Sequence, residues 1–475
     1  MYTLIIHALL VVSFTLRVLA RDDLLPSSRM AWFMVILTIP FAGTSLYFLF
    51  GEVDLGHRAK VLQKKIFTTI RQKAREAMGS ADDLKALADP QFLPAFKYAS
   101  SINSFFAVAG NKADLMPDAM TARARMIEDI DAANDTVHIL CYIWLEDKTG
   151  TNMAHAVIRA AKRGITCRIM VDGLGSRAFV KSELWRQMDA AGVQLAVALP
   201  IDKPIRTILT SRLDLRNHRK ITVVDGKIAY CGSQNCADPE FRPKAKYAPW
   251  IDIQLRLQGP VVAQLQLLFA SDWMKERQTP IECFPLETEF YDNGFVSQAV
   301  GDGPTERMRA APQMFSTLID SAQNSLIITT PYFVPDATVI DALCSAAYRQ
   351  VEVTVIVPRK NDSWVVASAS KSFYRKLLQA GVKIYEFNDG LLHSKTLTID
   401  GQAVFLGSSN LDIRSFDLNY ENDVLIQDRT ITAAVCARQS QYISRSTAVT
   451  LKEIAQWRLY QRIWYNVIAT LGPIL

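Results

Sequence analysis

The sequence predicts an α/β protein: two similar α/β lobes preceded by a two-helix transmembrane hairpin. Three observations predict it. Two long apolar runs open the chain. Strand-like and helix-like segments then alternate, and do so twice over in the same order. Finally, one string of polar residues occurs in both halves at an offset of 175 residues.

The first apolar run, Tyr2 to Ala20, has 19 residues with Arg17 as its one charge, and the second, Met30 to Phe50, has 21 with none. Either is long enough to cross a hydrocarbon core of about 30 Å as a helix. Arg21 to Arg29, with Asp22, Asp23, Pro26, Ser27 and Ser28, forms the connection. The competing reading is a signal peptide cleaved after Val18-Leu19-Ala20. The run lacks a basic start, and a second apolar run follows at once. Seven basic residues (Arg58, Lys60, Lys64, Lys65, Arg71, Lys73, Arg75) and no acid lie between Leu55 and Arg75. This bias puts both termini in the cytoplasm, and the same stretch suits an anionic leaflet.

The halves then run in parallel. Helices are expected over Met120–Ala133 and Gln313–Gln323, strands over Val137–Ile143 and Leu326–Phe333. Helices follow over Met153–Arg163 and Val339–Arg349, then strands over Thr166–Val171 and Val351–Val357. A further helix ends in Ala-Gly-Val at 191–193 and at 380–382. Such alternation implies α/β units around a largely parallel sheet. The domains expected are 1–50 (hairpin), 51–112 (basic juxtamembrane helical region), 113–300 and 301–450 (lobes), and 451–475 (amphipathic helix). That last segment combines Trp457, Tyr460, Ile463, Trp464 and Val467 with Lys452, Arg458 and Arg462. It suits either a membrane interface or docking on the core.

Composition sets limits. With 475 residues, two to four domains are expected. Apolar residues at 49% exclude a disordered chain. A mean hydropathy of +0.08 points to membrane contact. The net charge of +6 is modest for a nucleic-acid binder. Seven cysteines (Cys141, Cys167, Cys231, Cys236, Cys283, Cys344, Cys436), sparse and odd in number, read as reduced thiols without zinc-site spacing.

The duplicated string carries the chemistry. It reads His218-Arg219-Lys220, an apolar run, Asp225, then Gly232-Ser233-Gln234-Asn235. Its second copy is His393-Ser394-Lys395, an apolar run, Asp400, then Gly407-Ser408-Ser409-Asn410. His and Lys, two apart on a strand, share one face. Lys neutralises phosphate oxygens, Ser and Asn donate hydrogen bonds to them, and His attacks or moves protons. Ser233, Asn235, Ser408 and Asn410 are therefore the expected phosphate-binding groups. Asp225 and Asp400 lie across the apolar run from the histidines and suit a buried pair or turn cap. The first half has an insertion. Its segment Ile201–Asn217, with Lys203, Arg206, Arg212 and Arg216, suits a membrane-facing lip or a plain surface loop.

These paired His-x-Lys-(four)-Asp motifs resemble the signature of the phospholipase D superfamily. The wider chain resembles membrane-anchored cardiolipin synthases, through Thr330-Pro331-Tyr332-Phe333-Val334-Pro335, Pro358 to Ser363, Trp250-Ile251-Asp252, Gly259-Pro260 and Asn410 to Ser415. The resemblance implies two phospholipase D-like lobes with one active site between them. His218, Lys220, Asp225, His393, Lys395 and Asp400 would form the catalytic motifs. One histidine forms a covalent phosphatidyl-histidine and the other handles the proton, with His218 favoured as nucleophile. It implies neither cofactor nor metal. An acid downstream of each motif would orient a histidine, and Asp252 and Glu421 are the matches.

The expected reaction converts two phosphatidylglycerols to cardiolipin and glycerol. Partners would be phosphatidylglycerol, other anionic phospholipids and the inner (plasma) membrane, with the lobes on its cytoplasmic side and no nucleic acid. A phospholipase D hydrolase is the nearest alternative; a superfamily nuclease and a catalytically dead scaffold are the others. Charge and apolar runs argue against the nuclease, and the intact His, Lys and Asn set argues against the scaffold.

Overall fold

The computed structural model describes the chain except residues 1, 23, 25, 40, 52–55, 202–213 and 471–475. The repeat in the sequence becomes a repeat in the sheet. In the first half, strands Thr136–Cys141, Thr166–Asp172 and Gln194–Ala198 are parallel neighbours. Their counterparts in the second half, Ser325–Thr329, Glu352–Pro358 and Lys383–Phe387, are parallel as well. Helices Lys148–Lys162 and Ala337–Tyr348 make the matching crossovers. Asp147 and Asp336 cap their N-termini by accepting from Gly150 N and Val339 N, which answers orphan donors of the first turn.

The sheet is not largely parallel, as alternation alone suggested. Each parallel triplet continues into antiparallel strands. The strand after the first His-x-Lys, Ile221–Val224, pairs antiparallel with Thr136–Cys141 and with Ile228–Gly232. Thr396–Ile399 does the same with Ser325–Thr329 and Ala403–Gly407. The cause is a hairpin at Asp225-Gly226 and again at Asp400-Gly401, where all four residues have positive φ. Asp-Gly tolerates that conformation and reverses the chain at once.

The halves also share one sheet. Phe295–Asp302 pairs antiparallel with Val108–Leu115 of the first half and with Asn419–Gln427 of the second. The strand Val108–Leu115 straddles the expected boundary at 112. Apolar packing crosses the middle too: Val404, Leu406, Val424 and Ile426 join Leu255, Leu257, Leu265 and Phe269 in one core. The basic helix Gly56–Lys73 seats Ile66 and Ile70 in that same core. The helix Leu93–Asn103 instead packs Phe96 and Ala99 into the core of the second lobe.

The N-terminal apolar segment departs from the expected hairpin. The first run is helical over Tyr2–Leu19, 18 residues. The second is split into Pro26–Thr38, 13 residues, and Ala42–Phe50, 9 residues. The sequence carries Pro40 at the break, and proline lacks the N–H that would continue the helical ladder. At 1.5 Å per residue the two pieces reach only about 20 and 14 Å. Among the described residues, no helix is long and apolar enough to cross a membrane. Val18, Trp32, Ile36 and Tyr47 pack together, while Ile5, Leu9, Val12 and Leu16 stay exposed. The segment Ile201–Asn217 falls largely outside the described residues. All seven cysteines are free thiols, five of them buried.

Asp225 and Asp400 sit at the turn, at the far end of the short strand from each histidine. The Asp225 carboxylate accepts from the backbone N–H of Asn134, Asp135 and Thr136 at 2.8–2.9 Å. Asp400 accepts from those of Gln323, Asn324 and Ser325 at 2.7–2.9 Å. Each aspartate thus pins the entry to its lobe's first strand. That is the geometry of a turn cap, and it sets both carboxylates apart from the histidines. Asp225→Ala or Asp400→Ala strands those donors and leaves a residue at positive φ without the hydrogen bonds that hold it there. Each is expected to cost about 1–3 kcal/mol in denaturant unfolding, with Asn replacements milder. Unfolding midpoints unchanged by Ala would refute the cap.

Candidate active site

Two short parallel ladders build the site, and both cross between the halves. Arg216–Asn217 lies beside Asn419–Tyr420, and the backbone N–H of His218 donates to the Tyr420 carbonyl at 2.9 Å. Leu391–Leu392 lies beside Trp250–Ile251, and His393 N–H donates to the Ile251 carbonyl at 2.9 Å. One step further along each register, His218 meets Glu421 and His393 meets Asp252.

The contacts are direct. His218 Nδ1 is 2.9 and 2.8 Å from the Glu421 carboxylate oxygens. His393 Nδ1 is 2.6 Å from Asp252 Oδ1. An acid downstream of each motif was expected to serve a histidine, and each serves the histidine of the other half. The carboxylate accepts a hydrogen bond from Nδ1–H, which keeps the proton on that nitrogen and leaves Nε2 bare, the form a nucleophile needs.

The electrostatics agree with neutral rings. Burial is the main cause that lowers His218 to about 4; the Lys220 ammonium adds to it, and Glu421 opposes it. His393 also falls to about 4, through burial and then Lys395, against Asp252. Burial alone would raise the two acids. The histidine partners and nearby lysines outweigh it and hold both below their ordinary values.

Lys220 and Lys395 are buried beside the histidines. Each Nζ donates to the carbonyl of its own motif's histidine, at 2.7 and 2.6 Å. Burial lowers Lys220 to about 8. Burial and then the Lys220 charge lower Lys395 to about 7. Two buried ammoniums beside the histidines suit the oxygens of an anion.

The serines do something other than expected. Ser233 Oγ donates to Asp252 at 2.7 Å and Ser408 Oγ to Glu421 at 2.5 Å. They hold the carboxylates that hold the histidines. Asn235 and Asn410 do line the cleft, of about 570 Å³, into which both histidines open. Asn410 Nδ2 donates to Ser415, which donates on to Glu421.

Sequence reasoning missed several groups. Tyr142 sets its ring edge-on to His218 at 4.8 Å, and Trp250 lies 4.6 Å from His393. Asn422 accepts from Lys220 N at 2.7 Å. Arg219 is fully buried, with bonds to Asp272 at 2.9 Å and to the Glu421 carbonyl at 3.0 Å. The Asn419-to-Asp423 block beside Glu421 was the available signal. Among the described residues, no group of three or more His, Cys, Asp and Glu side chains is arranged to hold a metal ion.

A duplicated α/β fold with one His-Lys pair from each half, each histidine backed by a carboxylate, defines the phospholipase D class. The family described as "Cardiolipin synthase, PLD-like domain" matches residues 126–273 and 315–442. "Phospholipase_D-nuclease N-terminal" matches residues 9–52. Cardiolipin synthase A of Proteus mirabilis (strain HI4320) is 35% identical over 481 residues, covering 100% of this chain and 98% of that protein. Cardiolipin synthase A of Edwardsiella ictaluri (strain 93-146) is 34% identical, covering 98% of this chain and 96% of that protein. Among solved structures, phosphatidylserine synthase of Haemophilus influenzae Rd KW20 shares the fold, with TM-score 0.59 and 16% identity over 76% of this chain and 95% of that one. The chain belongs to the cardiolipin synthase family, phosphatidyltransferases of the phospholipase D superfamily.

The exchanged pairing has a direct spectroscopic test. With six histidines in the chain, ring ¹⁵N spectra can be assigned by single His substitutions. Glu421→Gln is expected to shift the His218 resonances and spare those of His393, and Asp252→Asn to do the reverse. The opposite pattern would mean that each acid serves its own half.

Proposed function

We propose that this chain transfers a phosphatidyl group between two phosphatidylglycerol molecules, giving cardiolipin and glycerol by double displacement. The observation that carries this reading is the pair of neutral, carboxylate-backed histidines facing one cleft beside two buried ammoniums. His218 Nε2 attacks phosphorus and the P–O bond to glycerol breaks. His393, charged as the anionic lipid enters, gives its proton to that oxygen. The second lipid's glycerol hydroxyl then loses its proton to His393 and attacks phosphorus, and the P–N bond breaks.

An asymmetry supports this division of labour. Glu421 spreads its charge over Ser408, Ser415, Asn419 and His218. Asp252 serves Ser233 and His393, the latter at 2.6 Å. The less shared carboxylate favours the imidazolium, so His393 suits the acid and His218 the nucleophile. Lys220, Lys395, Asn235 and Asn410 would hold the phosphate oxygens. Ser233, Ser408 and the two acids are positioning groups.

The lobes would work at the cytoplasmic side of the inner (plasma) membrane. Support comes from the exposed apolar face of the N-terminal helices and from the basic residues that follow them.

Purified full-length protein given phosphatidylglycerol vesicles in EDTA is expected to release cardiolipin and glycerol in equal amounts by mass spectrometry. His218→Ala and His393→Ala are each expected to lose at least about a thousandfold in rate. Phosphatidic acid as the main product would mean that water is the acceptor, and full activity in both variants would remove the site.

Binding should also draw protons from solution. Lys395 at about 7 and Lys220 at about 8 are partly uncharged at pH 8, and a bound anion raises both. Short-chain phosphatidylglycerol binding to the His218→Ala protein at pH 8 is therefore expected to take up about one proton. Its affinity should fall as pH rises through 7 to 8. Binding heats independent of buffer ionisation would contradict this.

A further inference from the structure

The C-terminal helix Leu459–Thr470 has two apolar faces. One packs on the helix Trp364–Ala380, where Ile468 is buried with Val334 and Ala369. The other bears Leu459, Tyr460, Ile463, Trp464 and Val467 at helical spacing, all exposed. Trp464 stacks on Trp364, which is itself 61% exposed, with ring centroids 6.0 Å apart. Among the described residues, no segment covers this face.

The patch is continuous with the cleft. Ser363 caps the helix that Trp364 begins, and Asp362, one residue earlier, lines the cleft. Tyr332, which also lines the cleft, donates to Asp362 at 2.8 Å and directly precedes the strand Phe333–Val334 on which the C-terminal helix rests. The rim is basic: Arg359 and Lys360 precede this turn, and Lys452, Arg458 and Arg462 flank the exposed stripe, all solvent-facing. Glu453 is the one acid from Leu451 to Thr470. Aromatic and aliphatic groups ringed by cations fit an anionic bilayer surface.

We infer that this face docks the second lobe on an anionic leaflet and turns the mouth of the cleft toward it. The inference rests on the lipid-transfer reading above and adds a second membrane contact, distant in sequence from the N-terminal helices. Lipid would then enter beside Trp364 and Tyr332 without crossing water.

The test uses the full chain in phosphatidylglycerol vesicles. Cys283 and Cys436 are replaced by Ser, and Ile463→Cys carries an environment-sensitive fluorophore. Quenching by lipids brominated high on the acyl chain, with shielding from aqueous iodide, is expected. Iodide quenching without lipid quenching would overturn the proposal. Quenching by neither, with cross-linking of label positions between molecules, would assign the face to a second copy of the chain and also overturn it. A second arm separates docking from simple damage. In Trp364→Ser/Ile463→Ser/Trp464→Ser, turnover of vesicle lipid is expected to fall about tenfold more than turnover of short-chain phosphatidylglycerol dispersed as monomers. Equal falls would indicate a structural role only. A lipid-quenched label on a protein that does not turn over phosphatidylglycerol would support docking while refuting the reaction proposed above.

Discussion

Everything at the centre of this molecule depends on the register of two short parallel ladders, Arg216–Asn217 against Asn419–Tyr420 and Leu391–Leu392 against Trp250–Ile251. Each is two residues long, so neither is stable alone. The continuous sheet on one side fixes where the segments run, and the ladders fix where the next residue points. A slip of one residue would turn Glu421 and Asp252 away from the histidines, because side chains alternate along a strand. Each half therefore holds a histidine it cannot orient and an acid that orients the other's. A single lobe of this kind has no complete site.

Holding the ladders in place requires charge in the interior. Arg219 lies between His218 and Lys220 and so points to the opposite face. Its guanidinium meets Asp272 and Glu306 and also donates to the Glu421 and Asp302 carbonyls. A buried ion pair is seldom a net source of stability, since desolvation offsets the attraction. Its use here is geometric: five fixed donors tie the first motif to the backbone of the acid that serves it. The second motif has Ser394 in the same slot, bonded to the Ile251 carbonyl and Tyr442. The halves match in what they present to the cleft and differ in what stands behind it.

How much of this could be read from the sequence follows from range. The His-x-Lys pairs and the alternation of strands and helices are local patterns, and they were readable; the two orienting acids came only from the resemblance to the phospholipase D superfamily. The exchange of acids was not readable, because it joins residues 203 and 141 positions apart through a backbone register that no local pattern records. The serines were read as phosphate ligands because hydroxyls suit phosphate. The structure gives them a nearer acceptor in Asp252 and Glu421. The antiparallel strands and the broken second apolar run were missed for another reason. Asp225-Gly226, Asp400-Gly401 and Pro40 were all visible and carry strong local rules, and the longer apolar and α/β patterns overrode them.

The electrostatics of the site bear on why the proposed transfer can compete with hydrolysis. Two imidazoles near 4 and two ammoniums near 7 and 8 are groups from which burial has removed the support of water. The two ammoniums face the Glu421 and Asp252 carboxylates, and the phosphodiester of the substrate brings a further negative charge to them. Once bound, the phosphate strengthens every cation around it, in surroundings where charge interactions are poorly screened. A water molecule brings no charge of its own to a site arranged this way. An anionic lipid alcohol does, and an apolar, basic rim would deliver it from the leaflet. In the proposed reaction, discrimination between alcohol and water then rests on a dry approach and on charge, rather than on a pocket shaped to refuse so small a molecule.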